Sequence, residues 1–422
     1  MLKPRITLAV ALMLTLTVGF LPAQKKKEAA KKKTTAKKAA PKKGAAKKAA
    51  PKKAGKKGAA KKNAAKKGKK TASAGSVRDQ YEKQLQQWKD LLKSLRSMRL
   101  KYLESKDAER VALAQKFTDG IAKGNVMVAK LRAKAKAAYL AAPNEDRGLR
   151  NLLIKMAKDE YERGVYESSA SLAKTLIDNK CQVNLIYSLA GSSLFSIHKF
   201  DEAEKYLKRA DATNSLQPPA TIFLKEIANY KMQWAEELKF RKQEEADRKD
   251  PKKRLPQVVL KTNRGEIVLE LFENEAPNTV GNFISLVEKK YYDGLTFHRV
   301  LQNFMAQTGC PLGNGTGGPG YNIKDECRKP IHRKHFRGSL SMAKGTAPDT
   351  GGSQFFLCFL PTSQLNGKHT VFGRIVKGMD ILAKIKLRDP KDKEAPEPDQ
   401  IISATVINKR NHVYKPDKVT GG

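Results

Sequence analysis

Between Lys25 and Lys70 the chain carries 22 lysines against one glutamate and, proline apart, no apolar side chain larger than alanine. Such a stretch has nothing to bury against the entropy of ordering it, so it cannot make a core of its own. The low-complexity tract, residues 24–75, is expected to be disordered, with Ala-Ala-Pro-Lys-Lys recurring at Ala39 and Ala49. It holds about half of the chain's formal net charge of +42. Counterion release from so many lysines favours salt-sensitive, sequence-blind attraction to a polyanion, whether nucleic acid, anionic lipid or an envelope polymer. No aromatic is interleaved to stack on bases, and a solvated spacer is the plain alternative.

Ahead of the tract, Lys3 and Arg5 precede an apolar run from Ile6 to Leu21 that ends at Leu21-Pro22-Ala23. A charged start, an apolar middle and a small residue at the end read as a secretory signal over residues 1–23, and so as export to the periplasm or cell envelope. An uncleaved membrane anchor through residues 6–23 is the second reading, because the run is only slightly short of a span. Lys25-Lys26-Lys27 directly behind it pull that way, since distal positive charge favours a cytoplasmic side.

From Ser76 the composition shifts. Residues 76–147 read as long amphipathic helices, the first with Tyr81, Leu85, Trp88, Leu92 and Leu95 at spacings of three and four. A second runs through 108–140, weakened by Gly120 and Gly124, to Pro143. Such a stripe is core or helix-partner surface rather than a ligand site. Within a helical region over 148–246, residues 148–215 hold a weak internal repeat at an offset of about 34 residues. Gly164-Val165-Tyr166 matches His198-Lys199-Phe200, Ser169 matches Ala203, Ala173 matches Leu207 and Leu176 matches Ala210. That period belongs to tetratricopeptide-like helical pairs. In the second copy Gly191, Leu194, Phe200, Ala203, Leu207 and Ala210 take the small and aromatic packing positions; the first departs at Ser169 and Ala173. Such a region would offer a concave surface to a protein partner, and a plain helical bundle is the alternative. A helix over 219–246 follows as a cap. Residues 247–254, charged and broken by Pro251, read as a linker.

Four cysteines, Cys181, Cys310, Cys327 and Cys358, are too few and too scattered for a disulfide scaffold, and no metal-ligand spacing occurs. Neither a structural metal nor a cofactor is expected. Gly313-Asn314-Gly315-Thr316-Gly317-Gly318 fits a dinucleotide-binding pattern, but Pro319-Gly320-Tyr321 follows it. No helix N-terminus is therefore available to a phosphate.

Beyond residue 255 the apolar period becomes two. Val258–Thr262 and Glu266–Phe272 read as strands about a turn at Asn263-Arg264-Gly265. Pro277 opens a helix with Val280, Phe283, Ile284 and Val287 on one face. Short strands follow at 296–300 and 304–308, at Gly338–Ala343 and at Gly352–Leu357. Leu365–Gly373 reads as a hairpin about Asn366-Gly367, Met379–Ile385 as a second helix and Gln400–Ile407 as the last strand. Many short strands with two helices suit a closed barrel whose ends are covered. Within this pattern Phe297-His298-Arg299-Val300-Leu301 and Phe304-Met305-Ala306-Gln307 put Arg299, Met305 and Gln307 near one another on a sheet surface. Standing alone, that arginine would be a rim ion pair.

It does not stand alone. With Gly338-Ser339-Leu340-Ser341-Met342-Ala343, Gly352-Ser353-Gln354-Phe355-Phe356-Leu357 and Leu365-Asn366-Gly367-Lys368-His369, the stretch resembles the cyclophilin family of peptidyl-prolyl cis/trans isomerases. The resemblance covers roughly residues 255–410, with the motifs in family order and spacing. It implies an eight-stranded antiparallel barrel capped by two helices, a domain over 255–415 and a short tail over 416–422. It also implies proline-containing polypeptides as substrates. The resemblance gives Arg299 the electrostatic role and makes Phe304, Met305, Phe356, Leu365 and His369 the proline pocket, with a packed hairpin histidine as the plain alternative for His369. Gln307 would orient the arginine and bind substrate backbone, while Ala343 and Gln354 line the neighbouring groove. Gln364, on the rim, stands where many members carry tryptophan, which bears on macrocycle binding and not on isomerisation. Lys344 replaces the usual asparagine in a loop one residue longer than common, and Cys310 a usual aspartate. Cys310 and Cys327 bracket the glycine loop and would pair in an oxidising compartment.

Rotation about an amide must break C–N double-bond character, a barrier of roughly 18–20 kcal/mol. No nucleophile is needed. A permanently charged guanidinium aimed at the nitrogen whose lone pair returns in the twisted state lowers that barrier. A scaffold that merely grips proline peptides is the alternative of a different class, and it has no use for the arginine.

Overall fold

The computed structural model describes residues 64–419, with side chains from Gly75 onward. The apolar run at 6–21 and most of the lysine tract lie outside the described residues. The chain divides into two compact units, one ending at Ala142 and one beginning at Pro143. Among the described residues no helix is long and apolar enough to cross a membrane.

The first unit is a pair of long helices, α1 (Ala64–Glu104) and α2 (Asp107–Ala141), packed along each other. Tyr81, Trp88, Leu92 and Leu95 of α1 are buried, as are Phe117, Leu131 and Tyr139 of α2. Helix α1 begins at Ala64, inside the tract expected to be disordered, and not at Ser76. Lysine and alanine are good helix formers, so a helix nucleated beyond Ser76 extends backwards at little cost. The weak point expected at Gly120 is a close helix crossing instead, since a Cβ there would stand 2.6 Å from Leu95 Cδ2.

The second unit opens with five helices: α3 (Arg147–Glu162), α4 (Tyr166–Asp178), α5 (Leu185–Ser196), α6 (Phe200–Ala212) and α7 (Ala220–Asp247). Helix limits recur with the sequence period, Glu162 against Ser196, Tyr166 against Phe200 and Asp178 against Ala212. At Gly191 a Cβ would lie 2.7 Å from Leu207 Cδ2 and 3.1 Å from the Leu207 backbone nitrogen, so α5 and α6 touch backbone to side chain there. Ser169, where the second copy has Ala203, is fully buried with its hydroxyl satisfied: it donates to Ala157 O at 2.7 Å and pairs with Ser193 Oγ at 2.9 Å.

The sheet follows. Its eight antiparallel strands run in the order β3 (Arg299–Leu301), β4 (Met305–Thr308), β7 (Phe355–Cys358), β6 (Ser339–Met342), β8 (Val371–Lys377), β2 (Gly265–Leu271), β1 (Gln257–Thr262) and β9 (Ile401–Asn408). A separate ribbon pairs β5 (Asn322–Ile323) with β10 (Lys418–Val419), so part of the expected tail over 416–422 is bound to the domain. Helix α8 (Pro277–Glu288) buries Val280, Phe283, Ile284 and Val287 against the concave face, where Leu269, Phe297, Phe355 and Phe372 complete the core.

Three expectations are corrected. The sheet is an open, curled half-barrel and not a closed one: β3 and β9 share no ladder, and the isolated pairs Thr296–Gln400 and Val300–Arg388 lie between those edges. The segment that would close it carries Pro390, Pro396 and Pro398, which have no N–H to give a ladder. The second covering helix is one turn, α9 (Met379–Leu382). Asn366-Gly367 also does not join two strands; a 3₁₀ turn, Ser363–Leu365, precedes it and strand resumes at Val371.

The helices and the sheet are not separated by a free linker. Arg333, its side chain fully buried, lies 3.6 Å from the Phe272 ring centroid and 4.5 Å from that of Phe240 on α7. It donates to Glu237 at 2.9 and 3.0 Å and to Glu244 at 2.6 Å, both on α7. Arg374 on β8 bridges Glu244 at 2.7 Å and Glu270 at 2.6 Å. Desolvation pushes the Glu275 carboxyl above its ordinary range beside this cluster, Arg333 notwithstanding. Phe336 and Leu360 of the sheet domain share a buried apolar cluster with Tyr161, Tyr166, Phe195, Phe223 and Tyr230 of the helices.

Candidate functional site

Strands β3, β4 and β7 carry Arg299, Met305, Gln307 and Phe356 on adjoining positions, whereas Phe304, Ala343 and Gln354 flank strand ends and Gln364, Leu365 and His369 lie between β7 and β8. Arg299 pairs across the sheet with Gln307, Gln307 with Phe356, and Met305 with Cys358. Met305, Ala343, Phe356 and Cys358 form a buried cluster, and Leu301, Phe304 and Leu365 pack partly exposed against it. This apolar cup is partly exposed at Leu301, Phe304 and Leu365.

Arg299 stands at its mouth. One guanidinium nitrogen lies 4.0 Å from Met305 Sδ, and the guanidinium carbon is 5.9 Å from the Phe304 ring centroid. Among the described residues no carboxylate pairs with it, so its charge is not neutralised by an acid of its own. The Gln307 side chain does not bond the Arg299 guanidinium; its amide donates to Gln354 Oε1 at 3.0 Å. Gln354 in turn donates to the carbonyls of Gly315 and Gly317 at 2.8 and 2.9 Å, tying the glycine loop to the groove. Ala343, 9% exposed, donates its backbone N–H to Gln354 O at 2.9 Å. Gln364 projects exposed from the 3₁₀ turn beside Leu365.

His369 lies edge-on to Phe356, ring centroids 5.5 Å apart, with Nδ1 3.0 Å from Met342 O. A carbonyl can only accept, so Nδ1 carries the proton in the neutral ring. Burial holds the imidazole below its ordinary pKa, against the pull of that carbonyl, so it is uncharged at neutral pH. His369 thus stands uncharged, edge-on to Phe356.

The glycine loop is built around Cys310. Its Sγ accepts from the N–H of Gly315 and Gly317, each at 3.2 Å. Burial opposes ionisation, yet these amides together draw the thiol below its ordinary pKa. Cys310 and Cys327 are separate free thiols. Gly309, at φ +86, is required by space as well as by angle, because a Cβ would meet Ser353 O at 2.3 Å. Lys344 is 9% exposed, held by Ala347 O at 3.0 Å and by Asp325 at 3.5 Å.

Sequence reasoning missed the layer behind the cup. His335, fully buried, stacks on Phe356 with centroids 5.9 Å apart and planes 8° apart. Its Nδ1 is 2.9 Å from Asn366 Oδ1 and its Nε2 is 2.9 Å from Ser341 Oγ. Asn366 Oδ1 also accepts the His335 backbone N–H at 2.8 Å, which assigns the ring proton to Nδ1. Burial lowers this imidazole's pKa to about 3. Nothing in Lys334-His335-Phe336 marks it as functional, since no motif runs through it.

The sequence profile described as "Cyclophilin type peptidyl-prolyl cis-trans isomerase/CLD" matches residues 257–406. A "Peptidyl-prolyl cis-trans isomerase" of Helicobacter pylori is 54% identical over 133 residues, 31% of this chain and 80% of its own length. A "Peptidyl-prolyl cis-trans isomerase-like 1" of Gibberella zeae is 40% identical over 161 residues, 37% of this chain and 98% of its own. A crystal structure of a cyclophilin type isomerase from Cryptosporidium parvum aligns with 37% of this chain and 99% of its own, at 31% identity and a TM-score of 0.34.

Proposed function

The chain belongs to the cyclophilin-type peptidyl-prolyl cis-trans isomerases, and from that premise we propose that Arg299 stabilises the twisted prolyl amide while the cup beside it immobilises the ring. The observation that supports this reading most is the unneutralised guanidinium at the lip of the Phe304, Met305, Phe356 and Leu365 cluster. In the planar amide the nitrogen lone pair is delocalised and offers a cation little. At 90° of twist the pair is localised, so a fixed positive charge acts selectively on the transition state. Met305, Phe356 and the neutral ring of His369 give the proline a dry seat, where that electrostatic interaction is least screened. Gln354, with Gln307 behind it and Ala343 beside it, offers polar groups to the peptide backbone along the groove. No metal or cofactor is needed for this reaction.

Phe356→Ala should raise KM for a proline-containing peptide about tenfold or more, as loss of a buried aromatic wall of roughly 1.5–3 kcal/mol predicts. An unchanged KM would remove the cup from the account. A proline-binding scaffold without turnover is the second reading; peptide exchange no faster than the uncatalysed rate, with binding retained, would favour it.

Around the isomerase we propose an exported foldase. The signal-like residues 1–23 would send it to the periplasm or cell envelope, with anchoring by residues 6–23 as the alternative. The tetratricopeptide-like helices over 148–246 would take a protein partner. The lysine tract over 24–75 would hold a polyanion, an envelope polymer, anionic lipid or nucleic acid. An intact Met1 on the mature protein would sink cleavage. Deleting 24–75 should abolish salt-sensitive polyanion binding and leave turnover intact.

A further inference from the structure

We propose that the helical region supplies positioning residues for the prolyl site: Tyr166, Tyr230 and Gln233 pin the two turns that carry the cup's outer wall. The proposal rests on the reading of Phe304 and Leu365 as walls of that cup.

Both side chains sit at the ends of turns; Phe304 is tied to the end of β7 only through its own carbonyl, which accepts the Phe359 N–H at 3.0 Å, and Leu365 lies outside the strands. Phe304 follows a tight turn between β3 and β4 in which Asn303 adopts φ +53. Leu365 ends the 3₁₀ turn Ser363–Leu365. The first donors of such a turn have no partner within it and must find one outside.

Here the partners come from the helices. Ser363 donates its backbone N–H to the Tyr230 hydroxyl on α7 at 2.7 Å. One turn further along α7, Gln233 Oε1 accepts from Asn366 Nδ2 at 3.1 Å. The other end of that same Asn366 amide receives His335, the ring stacked on Phe356. On the opposite side of the cup the Tyr166 hydroxyl donates to Asn303 Oδ1 at 3.0 Å, and Gln302 Nε2 donates to the Glu162 carbonyl at 2.8 Å.

These contacts are set in rigid surroundings. Tyr166 is fully buried and Tyr230 nearly so, and burial keeps both phenols protonated. The Arg333 and Arg374 cluster fixes α7 against the sheet about two and four helical turns beyond Tyr230. Without the helices, Ser363 N–H and Asn303 Oδ1 lose protein partners, and both turns gain freedom. The cup would then pay ordering entropy each time it closed on a proline ring.

The test is the full chain carrying Tyr230→Phe with Gln233→Leu, assayed on a prolyl peptide for kcat and KM, with methyl NMR of Leu365 in the free protein. The inference expects KM to rise at least about threefold with kcat little changed, the size set by the net worth of neutral hydrogen bonds. The Leu365 methyl resonances should move as well. Trp234→Phe, which trims the neighbouring contact with Phe336 (ring centroids 4.8 Å apart) and touches neither turn, should lower the melting temperature without raising KM. An unchanged KM with unmoved Leu365 resonances in the double variant overturns the inference, as does an equal KM rise in Trp234→Phe. Failure of the underlying reading looks different: Phe356→Ala would then leave KM alone, whatever the Leu365 resonances do.

Discussion

Acidification should act on this protein through His335. Its ring is completely buried between Phe356, Asn366 and Ser341, and its pKa lies at about 3 against an ordinary 6.5. The folded-state value is depressed, so the unfolded chain takes up a proton as pH falls below 6.5 while the folded chain refuses it. The stability this group contributes is present above pH 6.5 and is lost progressively down to about pH 3. Between pH 7 and pH 4.5 the loss from this one residue is about 2–3 kcal/mol. Urea unfolding of the wild type and of His335→Gln at both pH values isolates it, because the other titrating groups cancel in the double difference. His335→Gln should start less stable at pH 7 and lose about 2–3 kcal/mol less than the wild type on going to pH 4.5. Equal losses, within about 0.5 kcal/mol, would refute the argument from burial.

Other outcomes follow from single contacts. Gly191→Ala drives a methyl against Leu207 side chain and backbone and should cost about 1–3 kcal/mol in denaturant unfolding. Glu237→Ala leaves the buried Arg333 without two of its hydrogen bonds; a loss of about 3–5 kcal/mol should appear with faster proteolysis between residues 247 and 254. A neutral wall role for His369 predicts kcat/KM flat from pH 6.5 to 8; a step near 6.5 would contradict it.

The strands were legible because period two and the turn residues act locally: Val258–Thr262 and the run 304–308 could be placed from alternation alone, whereas the grouping of Phe304, Met305, Phe356 and Leu365 came only with the family resemblance. Closure of the barrel was not, because it depends on how far β3 lies from β9 and on what the proline-rich stretch before Gln400 can donate. Gly120 shows the same limit. Propensity counts it as a helix weakener, whereas its use is set by Leu95 on another helix. The charged run at 247–254 read as a linker because the Glu237–Arg333 and Glu244–Arg374 pairs join residues far apart in the chain. His335 reaches Phe356 and Tyr230 reaches Ser363 for the same long-range reason, and neither sits in a motif.

The proposed chemistry turns on the guanidinium of Arg299. Arg299→Ala, measured as kcat/KM on a proline-containing peptide together with peptide affinity and melting temperature, tests it most directly. The account predicts a fall of at least about 100-fold in kcat/KM, some 3 kcal/mol of transition-state stabilisation, with affinity nearly kept. The melting temperature should hold, since this half-exposed side chain has no carboxylate partner among the described residues. Turnover within about threefold of the wild type, under 1 kcal/mol, would contradict it.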